Sequence, residues 1–131
     1  MAQPQIGLED VVIATSTICF IDGEKGILSY RGYLANDLAE NSTYEETAYL
    51  LLYGQLPSAE QFENFKNTLR AQRAVPKGVL EIVSRIPAGT NPMAWLRTAV
   101  SALSGFDPDA EDNSEAANLR KAVRLTAQTA T

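Results

Sequence analysis

From Leu34 onward the chain is punctuated by helix start and stop signals, and that punctuation limits what it can fold into. Leu34 to Glu40 makes a short helix. Ser42-Thr43-Tyr44-Glu45 has the form of a capping box, and Thr43 to Glu46 offers a second register. The helix it opens runs to Tyr53 and stops at Gly54, because glycine readily takes the left-handed conformation past a helix end. Tyr49 to Tyr53 is apolar on every side, which predicts a helix end buried on all faces. Pro57-Ser58-Ala59-Glu60-Gln61 forms another box. Its helix puts Ala59, Phe62, Phe65 and Leu69 on one face and Glu60, Glu63, Lys66 and Arg70 elsewhere, so one side meets water. Pro76 suits a first helical turn. Val79, Leu80, Ile82, Val83 and Ile86 follow at helical spacing until Pro87 ends the pattern. Asn91-Pro92 restarts it, with Asn as cap and Pro in the first turn. Met93 to Ser104 follows, with Gly105 as its stop. Ser114 caps a last helix carrying Leu119, Ala122, Val123, Ala127 and Ala130.

The N-terminal part differs. Residues 1–10 are polar, with Pro4 and Gly7, and read as an extended lead-in. Thr15 to Ile21 is β-branched and apolar, Asp22-Gly23 and Gly26 are turn signals, and Ile27 to Tyr30 reads as a returning strand. A lone hairpin is marginal in water, so this one must lie on something. The expected fold is all-α, mostly helical, with a small N-terminal β-hairpin. Residues 1–131 read as a single unit, without repeat or linker. The last helix reaches Thr131 with no glycine, proline or polar tail after it, so the chain is expected to stop within a helix.

Composition narrows the function. The chain has 131 residues, a one-domain length, with 45% hydrophobic and 21% charged residues, as in folded globular proteins. The net charge of −5 argues against nucleic acid or an anionic membrane as partner. No apolar run approaches a membrane span and no secretory signal is visible. The one cysteine, Cys19, cannot form an internal disulfide, and a reducing cytoplasm is the simplest setting.

There is no histidine. Zinc-site spacing and nucleotide-binding glycine motifs are absent too, and a serine or cysteine nucleophile would lack its usual base. Cys19 reads as a small buried residue of the first strand. Arg31 could grip a carboxylate or phosphate; the favoured reading ties the hairpin to the helices through backbone carbonyls or an internal acid. The acidic run Asp107, Asp109, Glu111, Asp112 fails the EF-hand pattern, since its sixth and twelfth places hold Asp112 and Asn118. It reads as a solvated loop feeding a helix N-terminus, with Glu115 complementing the dipole. Asn41-Ser42-Thr43 matches a glycosylation sequon but reads better as a helix cap. The helices 92–104 and 115–131 are rich in alanine and nearly without a polar face. Such a pair exposes much apolar area unless it forms the chain's own core or something else covers it. Pattern alone leaves these alternatives open.

Ile18 to Pro57, ICFIDGEKGILSYRGYLANDLAENSTYEETAYLLLYGQLP, closely resembles the N-terminal segment of citrate synthases, with its hairpin, RGY motif and helix ending LLLYG-x-LP. Asn91 to Asp109, NPMAWLRTAVSALSGFDPD, extends the likeness, which spans essentially the whole chain. The resemblance implies the N-terminal part of that family's large helical domain. It also implies a homodimer in which helices 92–104 and 115–131 join a sandwich of antiparallel helices. The implied activity is an acyltransferase reaction, the condensation of acetyl-CoA with oxaloacetate at the entry to the tricarboxylic acid cycle. Acetyl-CoA would be a co-substrate, and no permanently bound cofactor is implied. An aspartate would take a proton from the acetyl methyl group, and histidines would stabilise the enol and polarise the ketone. No motif for those groups aligns here, so no catalytic residue is assigned, and this segment is expected to be scaffold and subunit interface. The same fold serves 2-methylcitrate synthase with propionyl-CoA, and a non-catalytic dimerisation module is a further alternative. Two departures stand out: Asn91 replaces a histidine that many relatives carry before Pro-Met, and Leu34-Ala35 replaces a more polar helix start.

Overall fold

The computed structural model describes residues 14–131. It is mostly helical with one small antiparallel sheet, as the punctuation predicts. The chain divides into two compact units, Met1–Leu56 and Pro57–Thr131.

In the first unit, β1 (Cys19–Asp22) pairs with β2 (Ile27–Tyr30), and β2 pairs with a third short strand, β3 (Tyr33–Leu34). The sheet therefore has one strand more than the expected hairpin. The register sets Asp22 opposite Ile27 and Tyr30 opposite Tyr33. In the first turn the Asp22 carboxylate accepts from the Lys25 amide at 3.1 Å and from its ammonium at 2.9 Å. Gly26, not Gly23, carries the positive φ there. Helix α1 (Ala35–Asn41) follows directly, and Leu34 before it supplies no side-chain cap, as the Leu34-Ala35 departure implies.

Helix α2 (Tyr44–Tyr53) adopts the second of the two cap registers. Thr43 Oγ1 accepts from the Glu46 amide at 3.2 Å, and the Glu46 carboxylate accepts from the Thr43 amide at 2.7 Å. Those bonds favour the charged carboxylate and lower the Glu46 pKa. Gly54 ends the helix in the left-handed region, at φ 84°. Tyr49 and Leu50 are buried, whereas Tyr53 is 42% exposed. The all-round burial expected of this helix end is therefore not found: Tyr49 and Leu50 alone are buried, and Leu51 and Leu52 are half-buried.

The second unit holds four helices: α3 (Ala59–Gln72), α4 (Lys77–Val83), α5 (Pro92–Leu103) and α6 (Glu115–Thr129). Ser58 and Gln61 cap α3 reciprocally, Asn91 Oδ1 accepts from the Met93 amide at 2.9 Å, and Ser114 caps α6. Pro76 falls one place earlier than expected, as the cap of α4. Gly105 does not stop α5 outright, because the chain tightens into a 3-10 turn, Ser104–Phe106. Helix α3 lies against α6, and α4 against α5. Val79, Val83 and Leu103 form a buried apolar cluster, with Val75, Ile86, Ala99 and Ala102 packed around it.

Candidate functional site

Two features of the second unit gather side chains from several elements. The first is an electrostatic cluster behind the 3-10 turn. Arg124 Nη2 donates to Asp107 Oδ1 at 2.5 Å and to Asp109 Oδ2 at 2.6 Å. Arg120 Nη2 donates to Asp109 Oδ1 at 2.7 Å. The loop also closes on itself: the Asp109 amide donates to Asp107 Oδ1 at 2.8 Å, and Lys121 reaches the Asp112 carbonyl at 2.6 Å. The solvated loop expected from sequence holds for Glu111 and Asp112, which are exposed, and fails for Asp107 and Asp109, which are half-buried in ion pairs. Two arginines at i, i+4 on α6 face the loop and draw its carboxylates down. That spacing after an acidic run was the available signal, and the sequence reading did not single out Arg120 or Arg124.

The electrostatics follow from the contacts. Partial burial raises the Asp107 carboxyl, but the Arg124 hydrogen bond and the Asp109 amide outweigh it, and its pKa is lowered. The hydrogen bond from Arg120, then that from Arg124, hold Asp109 well below the usual carboxylate range. Both arginines are raised in turn, chiefly by the bonds they donate. Carboxylates held this way stay charged at neutral pH and are poor proton donors or acceptors for catalysis. The cluster fastens a loop to a helix.

The second feature is an apolar groove of about 330 Å3, lined by residues including Val79, Val83, Trp95, Ala99 and Leu103. The alanine-rich helices bury one stripe each: Leu103 on α5, and Ala117, Val123 and Ala127 on α6. Other apolar side chains of α5 stay open on more than one side, with Met93 70% and Trp95 40% exposed. Of the alternatives left open by pattern, the chain's own core thus accounts for part of each helix only.

In the first unit Arg31 takes the structural role favoured for it. Its Nη2 donates to the Leu51 carbonyl at 3.1 Å, and its Nη1 donates to Thr17 Oγ1 at 2.8 Å. Cys19 corrects an expectation: it is exposed, not buried. The reason is that β1 is an edge strand, paired on one side only with β2.

Both units follow one family pattern. The family model described as "Citrate synthase, C-terminal domain" matches residues 7–131. The chain belongs to the citrate synthase family. It is 44% identical over 126 residues to a citrate synthase of Haloferax volcanii, covering 93% of this chain and 33% of that protein. It is 46% identical over 110 residues to the glyoxysomal citrate synthase of Cucurbita maxima, covering 84% of this chain and 21% of that one. The chain therefore spans between a fifth and a third of the curated relatives it matches. Among solved structures, a citrate synthase from Pyrobaculum aerophilum superposes with a TM-score of 0.81 at 37% identity, over 93% of this chain and 33% of that one. The Thermoplasma acidophilum enzyme, in ternary complex with carboxymethyl coenzyme A and oxaloacetate, superposes with a TM-score of 0.85 at 30% identity, over 93% and 32%. The citrate synthase fold expected from the hairpin, the RGY motif and the LLLYG helix is the fold found.

Proposed function

We propose that this chain is scaffold and subunit-contact structure of a citrate synthase, an acyltransferase that condenses acetyl-CoA with oxaloacetate to give citrate and CoA. The observation that carries the reading is the 44% identity to the Haloferax volcanii citrate synthase over 93% of the chain. The relatives compared above are named citrate synthases, which favours acetyl-CoA over the propionyl-CoA of 2-methylcitrate synthase. The 131 residues contain no histidine, so the enol-stabilising and carbonyl-polarising groups of the implied mechanism have no counterpart among them. Acetyl-CoA and oxaloacetate are then ligands of the complete enzyme, with no resident cofactor and no catalytic residue in this segment. We place it in the cytoplasm on its unpaired Cys19. Among the described residues no helix is long and apolar enough to cross a membrane.

The exposed apolar side chains of α5 and the groove lined by Trp95 and Ala99 support a homodimer built through residues 92–104 and 115–131. Two measurements test these readings. An assay of CoA release with the 131-residue chain is expected to show no turnover with either acyl-CoA, and turnover above background would refute the scaffold role. Sedimentation is expected to show self-association that Trp95→Glu abolishes. A monomer at high concentration would remove the subunit-contact reading.

A further inference from the structure

Arg31 stands where an arginine is costly. Tyr30 pairs with Tyr33, which leaves Arg31-Gly32 as a two-residue turn. Both have positive φ, 49° and 91°, the sign pattern of a type I′ turn. Glycine and asparagine reach that region easily, whereas another residue there costs about 1 kcal/mol or more. What offsets the cost is the grip of this residue. Its amide donates to the Ile18 carbonyl at 2.8 Å, extending the β1–β2 ladder. Its guanidinium joins Thr17, just before β1, to Leu51 in the last turn of α2. Carbonyls of a last helical turn have no partner inside the helix, so Leu51 offers a ready acceptor. The Arg31 Nε is buried without an acceptor, while the bond to Thr17 stays exposed and that to Leu51 is part-buried.

The rest of the sheet is held differently from a core. No residue of β1, β2 or β3 is buried, and Phe20 and Ile21 are 60% and 68% exposed. A segment with so little buried apolar surface opens at lower free energy than the helices around it. We propose that Cys19–Leu34 is a strap fastened to α2 by the Arg31 side chain, and that it opens as a unit, its ladder included, while the helices stay folded. Once the Arg31 grip opens, the left-handed turn loses its compensation, so strain at Arg31 favours the open state.

Hydrogen exchange followed by mass spectrometry on the complete 131-residue chain tests this. Arg31→Asn supplies the better turn residue and removes the grip. If the arginine mattered only to the turn, Asn would slow exchange in the strap. The strap reading expects the reverse: exchange over Cys19–Leu34 rises roughly tenfold or more, while α3 and α6 stay within about twofold. Arg31→Lys, whose ammonium is a single point and not a fork, falls between wild type and Asn. Unchanged or slowed exchange in the strap, or a uniform rise over the whole chain, overturns the proposal. Should Arg31→Asn fail to fold, Arg31→Lys decides by the same readout.

Discussion

The strap Cys19–Leu34 and the helices of the second unit are held by opposite means. The strap relies on turn geometry, a backbone ladder, one arginine and the contact of β2 and β3 with α1, and no residue of it is fully buried. The second unit relies on an apolar cluster between α4 and α5, on the packing of α3 against α6, and on a clamp of two aspartates with two arginines. Polar fastening fixes direction at little cost in buried area, and it lets go locally. Apolar packing is less directional, and its loss is felt through every neighbour. Substitutions should therefore separate the two regions by size of effect and by how far the effect spreads.

The largest effect should come from Leu103, buried between Val79 and Val83. Leu103→Ala leaves a cavity and is expected to cost about 3 kcal/mol of stability in urea unfolding followed by Trp95 fluorescence. A loss below about 1 kcal/mol would show a core loose enough to collapse into the space, and the contrast with the strap would fail.

Next is the clamp. Arg124→Gln removes bonds to two carboxylates and is expected to lower stability at neutral pH by less than Leu103→Ala does. Both Asp107 and Asp109 have pKa values depressed in the folded state below the unfolded value of 3.8. Their contribution is then fully present above about pH 5 and is lost as pH falls through the folded values. The stability gap between wild type and Arg124→Gln should therefore be constant from pH 7 to about pH 5 and shrink below about pH 4. A gap that stays constant on acidification would mean the clamp is packing and not charge.

Gly78 sharpens the comparison within the second unit. It is the second residue of α4, in the first turn, where glycine costs less than the roughly 1 kcal/mol it costs in a helix interior. It is tolerated because a Cβ there would overlap the Phe106 ring, 2.8 Å from Cε1 and closer still to Cζ. Gly78→Ala is expected to destabilise by about 1 kcal/mol when Phe106 is present. The same change made in Phe106→Ala is expected to stabilise by about 0.5 kcal/mol or less, the first-turn share of the helix-interior gain. The change of sign is the measurement; equal effects in the two backgrounds would mean the ring swings clear at no cost.

The same contrast explains what could be read from sequence. Caps and stops act within a few residues, and Thr43, Ser58, Gly54, Asn91 and Ser114 each stand where the pattern placed them. The structural role of Arg31 was legible because an arginine beside a glycine after a strand has few local partners. The grip on Leu51 spans twenty positions and was not legible as a contact. The clamp was missed because an acidic run looks solvated until its cations are placed, and Arg124 lies fifteen residues from Asp109. Gly78 and Phe106 were missed for the same reason, since only the meeting of α4 with the 3-10 turn sets the Phe106 ring against that glycine. The expected burial of Cys19 failed because strand composition alone does not say whether a sheet face is covered.

The smallest effect belongs on the strap. Ile21 is apolar, lies in β1 and is 68% exposed. Read as a core strand residue it should cost several kcal/mol to replace; read as part of a strap it should cost little. Ile21→Thr keeps the β-branched shape that a strand favours. Its effect is expected within about 0.5 kcal/mol of zero, as for other exposed positions. Exchange over Cys19–Leu34 should also stay near wild type, because the Arg31 grip is untouched. A loss above about 1 kcal/mol would mean that the outer face of β1 packs against polypeptide, and the strap would then be held by apolar burial like the helices.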